Sequence, residues 1–266
     1  LGKANVGKST FFSAATETPV QIGNFPFTTI EPNIGIAYLK ADCACKHFGI
    51  EHTNQLCVNG IRLIPVKIID VAGLVPGAHE GKGLGNQFLD DARQAEVLVH
   101  VVDIAGTTDL QGCPVPIGTH DPLEDIKFIQ EEFDQWFINI LQREWEKLTR
   151  EIEQKRTKLV DGITKRFTGL GIKDYHVQNV LQKLNFISKN PKDWTNFDIQ
   201  LFVKELRKTT KPILIAANKA DLCKDLDIIE KIKKDSEVVA CSAETELLLR
   251  KATKAGLVRS EEHTSE

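Results

Sequence analysis

Three short stretches hold the residues whose types and spacing suit chemistry on a nucleotide. The first is Gly2-Lys3-Ala4-Asn5-Val6-Gly7-Lys8-Ser9, followed by Thr10, which satisfies G-x-x-x-x-G-K-[ST]. Its glycines allow backbone angles that turn successive N–H groups inward, a nest for phosphate oxygens at a helix start. Lys8 would reach the β- and γ-phosphates, and the Ser9 hydroxyl would ligate Mg²⁺. The second is Asp70-Val71-Ala72-Gly73, which ends the apolar run Val66-Lys67-Ile68-Ile69. Asp70 would hold Mg²⁺ or a metal-bound water, and the Gly73 N–H would sense the γ-phosphate. The third is Asn218-Lys219-Ala220-Asp221, again at the end of an apolar run. Here the Asp221 carboxylate would accept from guanine N1–H and the 2-amino group, and Lys219 would pack its stem over the base. Adenine offers neither donor, so binding it would leave a carboxylate unpaired. Ser242 and Ala243 would add a backbone contact to the guanine oxygen. Each stretch alone also fits a polar turn; their order along the chain and their places after apolar runs favour the nucleotide reading.

Elements of a particular kind must hold these loops. Short β-branched runs at 34–39, 63–69, 97–102, 212–217 and 237–241 alternate with amphipathic stretches. That is the α/β pattern of a mostly parallel sheet covered on both faces. Helices are expected to begin near Lys8, Leu84, Asp225 and Glu244. Residues 121–207 break the alternation. Phe133, Phe137, Leu141, Trp145, Leu148 and Ile152 recur at helical spacing, and Leu159, Ile163 and Phe167 continue the stripe. This predicts one long helix ending at Gly169 and Gly171, with further helices returning against it as a hairpin. The aromatic residues would be its packing seam. The expected organisation is a discontinuous nucleotide-binding domain (1–120 and 208–258), an inserted helical arm (121–207) and a non-native tail (259–266). The phosphate loop stands at the start of the chain, so the strand that should lead into it is expected to be missing.

The whole-chain quantities are ordinary. The 266 residues are 41% hydrophobic and 27% charged, with a formal net charge of −3. This balance gives no case for a protein that coats nucleic acid. No apolar run approaches the roughly 20 residues that span a bilayer. Six cysteines at irregular spacing, beside a nucleotide motif, suggest a reducing cytosol and a cytoplasmic protein.

Beyond the three motifs, Asn24-Phe25-Pro26-Phe27-Thr28-Thr29-Ile30-Glu31-Pro32-Asn33 resembles the switch I of Obg-like GTPases. The stretch from Asp70 to Gly85, DVAGLVPGAHEGKGLG, resembles their Gly-rich switch II. The long insert before the guanine motif resembles the YchF subfamily, in its archaeal-type branch. The resemblance implies a P-loop NTPase fold of the Ras-like G-domain type. It also implies a C-terminal TGS domain in the parent protein and contact with ribosome or RNA. Thr29 would be the switch I Mg²⁺ ligand, with Thr28 as the alternative, and Asn5 matches the P-loop residue that coordinates K⁺ in related GTPases. Leu74 stands where many GTPases carry a water-orienting Gln, so hydrolysis would be slow or assisted from elsewhere. His79 is a candidate to polarise water. Many YchF-type proteins prefer ATP, but Asn218, Lys219 and Asp221 are intact here, which favours GTP.

Two features lie outside the nucleotide site. Cys43, Cys45, His52 and Cys57 form a candidate Cys₃His zinc set, with free cytosolic thiols as the alternative. Lys155, Arg156, Lys158, Lys165 and Arg166 place positive charge along the arm, either an RNA-contacting face or a solvated one. The leading expectation is a Mg²⁺-dependent GTPase switch. The alternatives are an ATPase of the same architecture and a nucleotide-dependent binding module with negligible hydrolysis.

Overall fold

The computed structural model describes residues 1–16, 33–50, 56–74, 91–225 and 227–258. Two three-stranded sheets form the frame. In one, β1 (Asn33–Asp42) runs antiparallel to β3 (Ile61–Asp70) over their whole length, from Asn33 opposite Asp70 to Asp42 opposite Ile61. A two-residue strand, β2 (Cys57–Val58), pairs with the start of β3. The short helix α2 (Ala44–Phe48) links β1 to this end. In the other sheet β4 (Leu98–Asp103), β5 (Ile213–Asn218) and β6 (Val238–Ala240) are all parallel, in that order. The sequences of β4 and β5 are apolar almost without alternation because both their faces are largely covered, while β6 lies exposed at the edge. The five expected strands are all present, within a few residues of their predicted ends.

Leu1 and Gly2 join the frames. The Val101 N–H donates to the Leu1 carbonyl at 2.9 Å, and the Leu74 N–H, just past β3, donates to the Gly2 carbonyl at 3.1 Å. Helix α1 (Lys8–Thr16) follows the phosphate loop, α8 (Asp227–Lys233) precedes β6, and α9 (Ala243–Lys254) follows it. The helix expected near Leu84 falls outside the described residues.

The insert is all-helical, but it is not one long helix with a return. It contains α3 (Pro122–Gln142), α4 (Trp145–Glu153), α5 (Leu159–Phe167), α6 (Asp174–Lys183) and α7 (Asn196–Thr210). The Asp121 side chain caps α3 by accepting from the Leu123 N–H, with Pro122 in the first turn. The predicted stripe is interrupted at Glu144 (φ −125°, ψ 19°) and again at Lys155, whose φ is 54°. The chain folds back at these points, so Phe137, Leu141, Leu148, Ile163 and Phe167 meet in one core instead of lining one rod. Helical spacing survives the turns, which is why periodicity alone missed them. Gly162 permits a close approach within this core: a Cβ there would lie 2.3 Å from Leu148 Cδ1. Trp194 closes the arm's core, its ring centroid 5.0 Å from that of Trp145 and 4.9 Å from that of Phe186. The aromatic stripe is therefore a packing seam, as expected, except that Phe133 packs elsewhere, with Val71, Leu74, Leu98 and Ile129.

Candidate functional site

Backbone geometry builds the phosphate loop. Gly2, Asn5 and Gly7 have φ of 146°, 60° and 95°. A Cβ on Gly2 would come within 2.5 Å of the Val101 carbonyl oxygen, and one on Gly7 within 2.5 Å of Asn218 Nδ2. Both positions therefore require glycine. Val6 anchors the loop from beneath, buried with Val101 and Ala216. Lys8 Nζ donates to the Lys3 carbonyl at 2.6 Å. Burial pulls this ammonium down to about 8, and the nearby Asp70 carboxylate only partly restores it. The Ser9 hydroxyl donates to Asp70 Oδ2 at 2.7 Å, bringing the two expected Mg²⁺ ligands into direct contact. Gly73 lies against the same loop: a Cβ there would sit 3.1 Å from the Ala4 nitrogen and 3.3 Å from Lys8 Nζ. Leu74 is buried in the cluster with Val71, Leu98, Ile129 and Phe133. It is a core residue, with no polar atom for ordering water.

The loop expected to read the base is tied to the phosphate loop. Asn218 Nδ2 donates to the Val6 carbonyl at 2.8 Å, and Asn218 Oδ1 accepts from the Ala243 N–H at 2.9 Å. Lys219, at φ 60°, sends its ammonium to the Asn5 carbonyl (3.2 Å), Asp103 Oδ2 (2.9 Å) and Thr107 Oγ1 (2.9 Å). Asp221 is exposed at the mouth of the loop. The Ser242 hydroxyl donates to, or accepts from, that of Thr245 at 2.8 Å. The structure thus brings Gly2 to Thr10, Asp70, Gly73, Asn218, Lys219, Ser242 and Ala243 to one end of the sheets. Thr28, Thr29, His52 and His79 lie outside the described residues.

The segment after β4, which sequence reasoning passed over, braces the site from outside. Asp103 is fully buried and accepts from the hydroxyls of Thr107 (2.6 Å) and Thr108 (2.9 Å). Asn5 Nδ2 donates to the Gly112 carbonyl at 2.8 Å. Lys3, buried although it belongs to a loop, donates to the Thr108 carbonyl at 2.8 Å and pairs with Asp125 at 2.7 Å. His120 Nε2 stands 2.8 Å from the other Asp125 oxygen. Burial pushes the Asp125 carboxyl above its ordinary value, and Lys3 and His120 draw it back only in part. The available signal was Asp103 itself, a charged residue closing an apolar run. In open α/β sheets the carboxyl ends of strands are where ligands and their supports gather.

Comparison with known proteins settles the family. Residues 1–140 match the family model described as 50S ribosome-binding GTPase. Residues 216–266 match that of the Obg-like GTPase YGR210-like, G4 motif-containing domain. A ribosome-binding ATPase YchF from Bacillus subtilis is 32% identical over 223 residues, covering 82% of this chain and 55% of its own length. The chain belongs to the Obg-like, YchF-type P-loop GTPases. An uncharacterized GTP-binding protein of Methanocaldococcus jannaschii is 46% identical over 271 residues. That alignment covers 100% of this chain and 67% of the relative. The crystal structure of a GTP binding protein from Pyrococcus horikoshii OT3 superposes with a TM-score of 0.78 at 38% identity. It covers 97% of this chain and 68% of its own. The chain therefore spans about two thirds of the length of these two relatives and little more than half of the Bacillus protein.

P-loop GTPases of this kind use Mg²⁺, and the donor set here suits it: a hydroxyl and a carboxylate side by side, both hard oxygen ligands. Away from these residues, the sulfurs of Cys43, Cys45 and Cys57 lie within 4.8 Å of one another. The Cys45 N–H foremost pulls the Cys43 thiol below its ordinary value, while its hydrogen bond with Cys43 pushes Cys45 up to about 11. Of the basic residues on the arm, Lys155, Arg156, Lys158 and Lys165 are exposed. Arg166 is held within the arm, donating to the Gly162 carbonyl at 2.9 Å and pairing with Glu144 at 3.2 Å.

Proposed function

We propose that this chain binds guanine nucleotides and hydrolyses GTP slowly, as the nucleotide-binding part of a cytoplasmic, ribosome-linked switch. The observation that carries the reading is the intact base-reading loop locked to the phosphate loop. Asn218 and Lys219 bond the carbonyls of Val6 and Asn5, so base recognition and phosphate binding form one rigid unit. Asp221 stands free to read the base edge. Phosphate would draw Lys8 from the Lys3 carbonyl and occupy the N–H nest from Gly2 to Thr10. Ser9 and Asp70, with Thr29, would hold Mg²⁺, which when bound neutralises charge on the β- and γ-phosphates. Asn5 is the K⁺ candidate, its amide plane fixed by the Gly112 carbonyl.

Leu74 supports slow turnover, because a buried leucine cannot order an attacking water; His79 is the remaining candidate for that role. Residues 1–120 and 208–258 would form the nucleotide domain, and 121–207 the arm. The arm has its own core, and its exposed Lys155, Arg156, Lys158 and Lys165 would face ribosomal RNA. Among the described residues no helix is long and apolar enough to cross a membrane. A second reading, ATP hydrolysis, is favoured by the relative named a ribosome-binding ATPase.

Paired titrations of fluorescent GDP and ADP against the full-length protein test the reading. Tight GDP with weak ADP binding is expected. Comparable or tighter ADP binding would overturn the guanine assignment in favour of the ATPase, and measurable Mg²⁺-dependent turnover would exclude a pure binding module.

A further inference from the structure

The far end of the β1–β3 ladder presents a different chemistry. Cys43 and Cys45 flank the start of α2, and Cys57 opens β2, so one short connection delivers three thiols to one point. All three sulfurs lie within 4.8 Å of one another, and Cys45 Sγ and Cys57 Sγ are 3.6 Å apart. Four ligands at a zinc–sulfur distance of about 2.3 Å stand about 3.8 Å from one another in a tetrahedron. The observed spacing is close to that edge and far from the roughly 2.05 Å of a disulfide.

Backbone hydrogen bonds tie this connection to β3, the Cys43 N–H donating to the Gly60 carbonyl at 2.8 Å, but among the described residues it has no apolar core of its own. Among the described residues from 43 to 60 only Cys43 is buried. The large apolar side chains face outward, with Phe48, Ile50 and Val58 at 68%, 63% and 53% exposure. None of the hydrophobic clusters includes a residue of this segment. A short excursion without a core is the situation in which proteins use a metal staple. Two cations stand near the cluster. Arg62 is the cross-strand partner of Cys57, and the Lys46 stem packs near Gly60. Three thiolates around a divalent ion carry one net negative charge, which these cations offset.

We infer that Cys43, Cys45 and Cys57 hold a zinc ion that staples the α2–β2 connection to the end of the β1–β3 ladder. On binding, each thiol releases its proton to solvent and the thiolate sulfur donates to the metal; no oxidant or reductant is involved. The fourth position is left to a water molecule or another neutral donor. The site is independent of the nucleotide reading, because ten paired residues separate it from Asp70, roughly 30 Å of extended strand.

The test uses full-length protein, purified without chelator and analysed for bound metal. Stoichiometric zinc is expected, lost in Cys45→Ser and in Cys57→Ser and kept in Cys113→Ser. Should the serine variants fold poorly, wild-type protein stripped of metal and titrated with Co²⁺ gives a direct readout. Thiolate-to-cobalt charge-transfer absorption and tetrahedral visible bands are expected. Metal occupancy should protect the connection from proteolysis. GDP affinity should change by no more than about twofold in Cys45→Ser, as for distant independent sites. Absent zinc and absent cobalt charge transfer, with all three thiols open to alkylation in the folded protein, would overturn the site. So would a native Cys45–Cys57 disulfide found by mass spectrometry.

Discussion

The buried pair between Lys3 and Asp125 invites a quantitative test. Both side chains are almost wholly buried, at 1% and 2% exposure, and they join the phosphate loop to the first turn of α3. Their 2.7 Å contact is an ion pair without directed hydrogen-bond geometry, since Asp125 Oδ2 has no hydrogen-bond partner. Among the described residues, Lys3→Met would leave the carboxylate with His120 as its partner. Removing one partner of a buried pair typically costs about 3–5 kcal/mol, whereas replacing both with apolar groups is often neutral. For a chain of this size that corresponds to a melting-point loss of roughly 6–20 °C. The pH dependence adds a check on cause. Burial already holds the Asp125 carboxyl above its ordinary 3.8. Without Lys3 it rises further, so the penalty should shrink as the pH is lowered and the abandoned carboxyl takes up a proton. The assay is thermal and urea unfolding of wild type, Lys3→Met and Lys3→Met/Asp125→Leu at several pH values. The double variant should recover most of the loss. A single variant within about 1 kcal/mol of wild type, or a double variant as unstable as the single, would refute the account.

Asp221→Asn should weaken GDP binding roughly 10- to 100-fold and improve xanthosine diphosphate binding, since a hydrogen bond to a charged group contributes about 1.5–3 kcal/mol; competition titrations measure both. Gly162→Ala should destabilise the arm despite the helix-propensity gain of about 1 kcal/mol, because its Cβ would sit 2.3 Å from the fully buried Leu148 and overpacking costs about 1–3 kcal/mol. A rise in urea midpoint would contradict this. Asp198 accepts from Lys189 and Thr195, which hold its carboxyl down to about 2 from 3.8. The stability it contributes is complete above 3.8 and lost as the pH falls through about 2. The gap in stability between wild type and Asp198→Asn should therefore be constant above that window and close within it.

The nucleotide end was legible because its chemistry is local. Gly2 to Ser9 form a continuous nest, Asp70 and Asn218 close apolar strands, and Lys219 and Gly73 follow those strands within three residues. Strands could be read from β-branched runs such as those of β4 and β5. The arm was legible as helical but not in its path. The turns at Glu144 and Lys155 carry no Gly or Pro, and a stripe that closes on itself has the same spacing as a straight one. The buried partners Lys3, Asp103 and Asp125 were illegible for a related reason. Their pairing joins residues up to 122 positions apart along the chain, and charged residues in loops ordinarily face water. The role of Leu74 was half-visible: its type ruled out hydrogen bonding to water, but only packing placed it in the core.

Helix α3 belongs to two bodies at once. Its Ile129 and Phe133 are wedged against Leu74 and Val71, while Phe137 and Leu141, one and two turns on, sit inside the arm. Trp136 touches both neighbourhoods. A 21-residue helix is a stiff rod of about 30 Å. A displacement of the segment after β3 therefore reaches the arm as leverage about a fulcrum near Phe133, and cannot be absorbed at the root. Phe133→Ala would loosen that fulcrum. If nucleotide exchange swings the arm, the swing measured between labels on the arm and on β5 should lose amplitude in this variant; an undiminished swing would place the pivot elsewhere.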